Sequence, residues 1–111
     1  QEAIACFEQV LQIEPTEHWA WNNRGLALAE LGRYDDAIAS FQQGLTYVQP
    51  NNQPEVWGQL HRAIGNAYYD RGRAALHPRN DWRQAVTEYE QALRTLTPEI
   101  SPPAYLQVLH D

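Results

Sequence analysis

A small residue followed four positions later by an aromatic residue recurs three times along this chain. The three copies are Ala3-x3-Phe7, Ala37-x3-Phe41 and Ala85-x3-Tyr89, and the interval before the third copy is longer than the one before the second. A spacing of four places both members of a pair on one face of a helix. A period of roughly 34 residues, the one that separates the first two copies, predicts stacked helical hairpins that each pack mainly on their neighbours.

Apolar residues at helical spacing predict six helices. The expected helices cover residues 2–14, 17–31, 35–47, 55–71 or 55–76, 81–96 and 104–110. Thr16 is predicted to cap the second helix, and Gly32 to follow its last turn. Asp81 is predicted to cap the fifth helix. Residues 77–80 are predicted to be non-helical or to stop the helix, because Pro78 disfavours helix at the residue before it.

Two segments extend the recurring pair into a longer motif. Trp21-x2-Arg24-Gly25-x2-Leu28 precedes the second copy, and His61-x2-Ile64-Gly65-x2-Tyr68 precedes the third. Both resemble the tetratricopeptide repeat (TPR), which has Trp-x2-Leu-Gly-x2-Tyr on its first helix and Ala-x3-Phe, then Pro, on its second. The resemblance implies an all-α, antiparallel helix-hairpin solenoid, a TPR superhelix. Gly25 would then be small because two helices cross closely there.

The predicted organisation is a single TPR segment over residues 1–111 with half-repeats at both ends. Residues 1–15 are the second helix of a truncated repeat, 16–48 a complete repeat, 54–98 a repeat with an insertion near 74–80, and 102–111 the start of a further helix. Such insert-bearing repeats resemble those of large bacterial multi-TPR proteins, some of which carry a caspase-like peptidase domain. The basic insertion either carries function or lengthens the last hairpin.

Composition excludes several classes of function. The net charge is −6, with eight Arg, no Lys and no basic stripe, so we expect no nucleic-acid ligand. No apolar run approaches the roughly 20 residues that span a bilayer, so we expect no membrane partner. The single Cys6, interpreted as a core thiol, excludes an internal disulfide and favours a cytoplasmic location. Without metal-ligand spacing, a phosphate loop or a nucleophile motif, the chain is predicted to be non-catalytic, with no metal or cofactor.

The TPR resemblance also implies a site. Peptides usually bind on the concave face formed by the first helices, at positions that correspond here to Trp19, Asn22, Asn23, Leu26, Glu30, Gln59, Arg62, Asn66, Tyr69 and Arg73. The pair Arg62 and Asn66 is similar to the opening pair of the clamp with which some TPRs hold a chaperone's C-terminal carboxylate. The alternative is a solvated polar face in which Arg62 pairs with Asp70 or Glu55.

Two functions remain open from the sequence. The first is a protein-protein interaction scaffold that binds a peptide or partner domain in its concave groove. The second is a structural repeat segment that positions an effector domain of a larger multi-domain bacterial protein. Because Phe7, Val10 and Leu11 lack a partner helix within the chain, they are predicted to be exposed and to allow end-to-end self-association.

Overall fold

A computed structural model describes residues 2–74 and 79–96 of the chain. They form α1 (Glu2–Ile13), α2 (His18–Glu30), α3 (Tyr34–Leu45), α4 (Pro54–Ala74) and α5 (Arg79–Leu93). Each helix packs against the next along the chain, and α2 also touches α4 lightly. These residues contain no strand, which confirms the all-α prediction. The sixth predicted helix, over residues 104–110, lies outside the described residues.

The turn between α2 and α3 has the geometry predicted from its glycine. Gly32 adopts a φ of 79°, a left-handed conformation that side chains disfavour. Its N–H donates to the carbonyl of Ala29 over 3.0 Å, and the N–H of Arg33 donates to the carbonyl of Leu28 over 2.9 Å. This pair of bonds is a Schellman motif, which ends α2 and reverses the chain into α3.

Both N-cap predictions are wrong. The N-cap of α2 is Glu17, which makes no capping hydrogen bond, whereas the Thr16 hydroxyl donates to Glu14 Oε1 over 2.7 Å. Asp81 lies inside the first turn of α5, which begins two residues earlier, so residues 79 and 80 are helical. Its carboxylate instead accepts hydrogen bonds from Arg71 Nε at 3.1 Å and Nη2 at 2.6 Å. The Asp81 carboxylate, which the sequence predicts to cap α5, therefore binds Arg71 on α4 instead.

A close approach of two helices at Gly25 organises the α2–α3 hairpin. A Cβ added to Gly25 would lie 2.5 Å from the Phe41 ring, which is 1% exposed. At the corresponding place in the α4–α5 hairpin, a Cβ on Gly65 would lie 2.6 Å from the Tyr89 ring. Both hairpins therefore use the same contact between a glycine and an aromatic ring, as the motif predicts. Leu28, Leu60 and Ile64 complete the core around it.

In the α4–α5 hairpin, glycines of α4 allow a close approach to large side chains at three places. Three glycines of α4 lie seven residues apart, and the side chains they meet are also seven residues apart: Gly58 meets Leu96, Gly65 meets Tyr89, and Gly72 meets Trp82. A Cβ at any of the three would come within 2.7 Å of its neighbour. Seven residues are nearly two helical turns, so the three glycines share one stripe along which the helices approach closely.

The insertion lengthens the second hairpin. Helix α4 has 21 residues and α2 has 13. Helix α4 continues through Gly72 and ends nine residues after Gly65, whereas α2 ends five residues after Gly25. Helix α5 begins ten residues before Tyr89, whereas α3 begins seven before Phe41. Among the described residues, α4 therefore extends four residues further beyond its motif glycine than α2, and α5 begins three residues further ahead of its motif aromatic than α3.

Arg71 joins this extension to the rest of the fold. Its guanidinium donates to Asp81 on α5 and to Asp35 on α3, and it lies 5.1 Å from the centre of the Tyr68 ring. The hydrogen bond with Asp81 raises the pKa of Arg71 above its ordinary value; partial burial opposes this rise, and Asp35 adds to it. Three helices are thus tied together by one charged side chain.

The N-terminal helix corrects two predictions. Leu11, expected to be exposed, is only 7% exposed because α1 packs on α2, and Phe7 and Val10 are half-buried. Cys6, expected in the core, is exposed. Ile13 is 86% exposed. The apolar surface exposed on α1 is therefore smaller than the sequence predicts.

Candidate functional site

A cleft of about 320 Å³ lies between the N-terminal halves of α2 and α4, the first helices of the two hairpins. We call it the α2–α4 cleft, and it is lined by His18, Trp19, Asn22, Glu55, Val56, Gln59 and Leu60. A hollow remains there because the two helices touch lightly, each packing mainly on its own hairpin partner and on α3. Its volume is at the small end of the range of ligand sites, so it suits one or two side chains.

Trp19 forms an exposed aromatic wall of this cleft. It is 42% exposed, and its indole N–H donates to Glu17 Oε2 over 2.6 Å, which orients the ring. Val56 and the fully buried Leu60 supply aliphatic surface opposite, on α4. The cleft therefore combines an oriented aromatic face with an apolar floor.

The polar groups of the cleft are the imidazole of His18, amides and carboxylates. Asn22 and Gln59 contribute amides, and Glu55 contributes a carboxylate to the lining. Glu17 adds a second carboxylate, held beside Trp19 by the indole bond. No Arg lines the cleft among the described residues. The cleft is therefore acidic and rich in hydrogen-bonding groups.

The predicted groove residues on α2 lie along one side of this cleft or beyond it. Trp19 and Asn22 line it together with Gln59 from α4. Leu26, 46% exposed, and Glu30, also exposed, continue along α2 past its end. Asn23 is half-buried.

The predicted residues in the middle of α4 are engaged within the fold. Asn66 Oδ1 accepts a hydrogen bond from the Tyr89 hydroxyl over 2.6 Å, which commits that amide oxygen to α5. Arg62 is half-buried and contacts other groups of the protein. The carboxylate clamp suggested for this pair stays a prediction.

The last two predicted residues of α4 lie in separate surroundings. Tyr69 stacks with Trp82 of α5, with ring centres 6.3 Å apart and an angle of 26°. Arg73 lies 4.0 Å from Asp70, and both line a hollow of about 430 Å³ beside Tyr34. Their helical spacing therefore does not bring them to the α2–α4 cleft.

A larger hollow, of about 650 Å³, lies along α5 and includes Trp82 and Val86 in its lining. Among the described residues, only α5 lines it. Val86 is 55% exposed, whereas Ile38, which likewise follows the motif alanine in the previous hairpin, is 6% exposed against α4. Among the described residues, no helix covers Val86 on α5 as α4 covers Ile38 on α3.

Comparison with known proteins agrees with this geometry. Residues 18–47, which contain α2, its turn and α3, match the family model described as "Tetratricopeptide repeat". Residues 18–47 are a tetratricopeptide repeat. The resemblance and the fold class predicted from the motif are thereby confirmed. The α4–α5 hairpin extends the TPR architecture with longer helices.

Three curated relatives of this chain are much longer proteins. It is 33% identical over 67 residues to the cytochrome c-type biogenesis protein CycH of Bradyrhizobium diazoefficiens, covering 60% of this chain and 18% of the relative. It is 28% identical over 93 residues to the Hsp70-Hsp90 organizing protein of Triticum aestivum, covering 84% and 14% respectively. It is 27% identical over 71 residues to the protein STIP1 homolog of Dictyostelium discoideum, covering 64% and 12%. The chain thus spans less than a fifth of each relative.

Sequence reasoning missed the part of the cleft that precedes the TPR motif on α4. Helix α4 begins eleven residues before Gly65, whereas α2 begins seven before Gly25, so α4 has an extra first turn. Glu55 and Val56 belong to this turn. The predicted helix begins at residue 55 and so contains both residues, but neither was included among the predicted groove residues. The signal was the interval from Gly25 to Gly65, which is longer than the repeat period.

A metal site and a membrane-spanning helix are both absent from the described parts of the chain. Residues 2–74 and 79–96 hold no group of three His, Cys, Asp or Glu side chains able to bind a metal ion. In the same ranges, none of the helices combines the length and apolar character needed to cross a membrane.

Proposed function

We propose that this TPR chain is a non-catalytic protein-protein interaction scaffold whose α2–α4 cleft receives a peptide of a partner protein. The observation that carries the proposal is a preformed cleft bordered by the exposed side chains of Trp19 and, further along α2, Leu26. Exposed apolar groups beside a concavity are typical of protein-binding surfaces. One relative is named as an organizing protein for Hsp70 and Hsp90, which supports a role in holding proteins.

Each group of the cleft has a role in this proposal. Trp19 provides a large flat contact whose orientation is set before binding. Asn22 and Gln59 supply amides that can pair with the N–H and C=O groups of an extended peptide. Leu26 and Glu30, both exposed, extend the contact along α2 beyond the end of the cleft.

The test is a peptide-library screen against the 111-residue chain and its cleft variants. We expect Trp19→Ala to weaken selected peptides by at least about tenfold, as is usual for a central aromatic anchor. Gln59→Ala should weaken them less, and Gln84→Ala, an exposed glutamine on α5, should have no effect. Peptides that bind equally well to the wild type, Trp19→Ala and Gln59→Ala would place the binding site elsewhere.

The second candidate function is that of a structural segment in a larger bacterial protein. It is favoured by the small share, less than a fifth, that the chain covers of three of its relatives. The parent protein carrying Trp19→Ala distinguishes the two functions. Loss of partner binding supports the scaffold, whereas unchanged binding and activity support positioning of an effector domain.

Self-association and location are further proposals. End-to-end pairing is supported by Ile13 and Val86, which are exposed on the first and last described helices. A single monomeric species in light scattering at millimolar protein would contradict it. A cytoplasmic location is supported by the exposed free thiol of Cys6, since a reducing compartment protects such thiols. The net charge of −6 supports protein partners over nucleic acid.

A further inference from the structure

We propose that the α2–α4 cleft recognises a basic side chain, Lys or Arg, of the partner peptide. The inference rests on the proposed function, because it assumes that a peptide enters this cleft. It adds the chemical class of the residue that anchors there. It also gives a role to the carboxylates that the motif did not predict.

The walls of the cleft fit the long aliphatic stem of a basic residue. The Trp19 ring stands on one side, and Val56 and Leu60 form the opposite surface on α4. Lys and Arg cover apolar surface with their methylene groups while the charged end stays near solvent. A cleft of about 320 Å³ that is open at its rim allows both parts of such a side chain to be satisfied.

The charged end would meet three favourable groups. A cation above the indole of Trp19 is attracted by the electrons of the ring. Glu55 lines the same cleft, and Glu17 is held beside the indole by a bond of 2.6 Å. Glu55 also contacts other groups of the protein, but a carboxylate has about four acceptor positions and can bind a ligand as well. An anionic side chain in the same place would face two carboxylates.

The wider charge distribution points the same way. Residues 2–56 hold eight acidic residues and two Arg. Both Arg side chains are engaged: Arg24 lies 3.4 Å from Glu8, and Arg33 donates to Asp36 over 2.7 Å. The field around this part of the chain is therefore negative, which favours encounter with a basic peptide and disfavours an acidic one.

The subsite can be probed without knowing the partner. We suggest titrating the isotope-labelled chain with N-acetyl-lysine methylamide and with its uncharged analogue N-acetyl-norleucine methylamide. The indole N–H signal of Trp19, assigned with Trp19→Phe, reports binding in the cleft by nuclear magnetic resonance. We expect the lysine probe to shift this signal with an affinity at least about fivefold higher than that of the norleucine probe.

Two controls separate charge recognition from other effects. Glu55→Gln should weaken the lysine probe by about fivefold to tenfold and leave the norleucine probe unchanged. Glu90→Gln makes the same charge change at an exposed position of α5 and should change neither. On the wild type, raising the salt concentration from about 20 to about 500 mM should weaken the lysine probe alone, because exposed charges are then screened.

The outcomes distinguish this inference from the function on which it rests. Equal shifts by the two probes, or a lysine affinity that neither Glu55→Gln nor salt reduces, would overturn recognition of a basic side chain. Library peptides that require Trp19 but contain no Lys or Arg would overturn it too, while leaving the cleft as the peptide site. Failure of the probes together with failure to select any cleft-dependent peptide would refute the proposed function itself.

Discussion

Replacing Gly25 by Ala should destabilise the fold, although Ala is the better helix former. The added methyl group would lie 2.5–2.8 Å from three atoms of the Phe41 ring, which is only 1% exposed. An overlap this severe costs about 2–3 kcal/mol, the upper part of the usual overpacking range, and the helix propensity of Ala returns about 1 kcal/mol. The expected net loss is about 1–2 kcal/mol in the free energy of unfolding.

Urea denaturation followed by far-ultraviolet circular dichroism measures this loss directly. A thermal scan should show a melting temperature lower by roughly 5–15 °C, as expected for a domain of this size. Phe41→Leu removes the ring that the methyl group meets. In that background, the change from Gly25 to Ala should be neutral or stabilising by up to about 1 kcal/mol, which gives a coupling energy of about 1–3 kcal/mol between the two sites.

An exposed position in the same hairpin provides the control. Ala39 lies on the exposed face of α3, so Ala39→Gly should lower stability by about 0.5–1 kcal/mol through propensity alone. Glycine is thus expected to be the more stable residue at position 25, and alanine at position 39. The steric argument fails if Gly25→Ala is as stable as the wild type, or if its effect is unchanged by Phe41→Leu.

Two further substitutions test contacts beyond this crossing, each by urea denaturation. Arg71→Gln should lower the free energy of unfolding by about 1–3 kcal/mol, because it leaves the buried Asp81 without its cation. Asp35→Asn, at the exposed partner of Arg71, should cost less than about 0.5 kcal/mol. Ile38→Ala should cost about 2–4 kcal/mol, and Val86→Ala at the corresponding place should cost under about 1 kcal/mol. Equal losses within either pair would contradict the burial on which it rests.

The parts of the fold that follow from steric demands were predictable from the sequence. Gly25 lies in the motif segment that precedes an Ala-x3-Phe pair, and only a residue without a side chain fits where α2 approaches the Phe41 ring this closely. Gly32 was likewise predictable, because a left-handed turn residue after a helix is nearly always glycine. Such positions admit few residue types, so the residue type reveals the geometry.

Polar residues near helix ends were harder to interpret, because their partners are not local. Asp81 has the spacing of a helix cap, yet Arg71 on α4 takes its carboxylate. The distance between them in the sequence depends on how far two helices continue, which the spacing alone does not state. The predicted groove residues of α4 are a second example. Asn66 and Tyr69 share a predicted stripe, but in the structure they contact Tyr89 and Trp82 of α5.

The departures from the regular repeat period lengthen α4 and α5, and they also lengthen the connection between α3 and α4, which has eight residues where that between α1 and α2 has four. The extra first turn of α4 brings Glu55 and Val56 opposite Trp19, and an α4 as short as α2 would begin near residue 58 and leave that side of the cleft open. The added last turn is held by a third contact between a glycine and an aromatic ring, Gly72 against Trp82. Because each extension is packed against a neighbouring helix, it presents its side chains at defined positions. Any selectivity of the α2–α4 cleft therefore depends on the length of α4, which sets the residues available to a ligand.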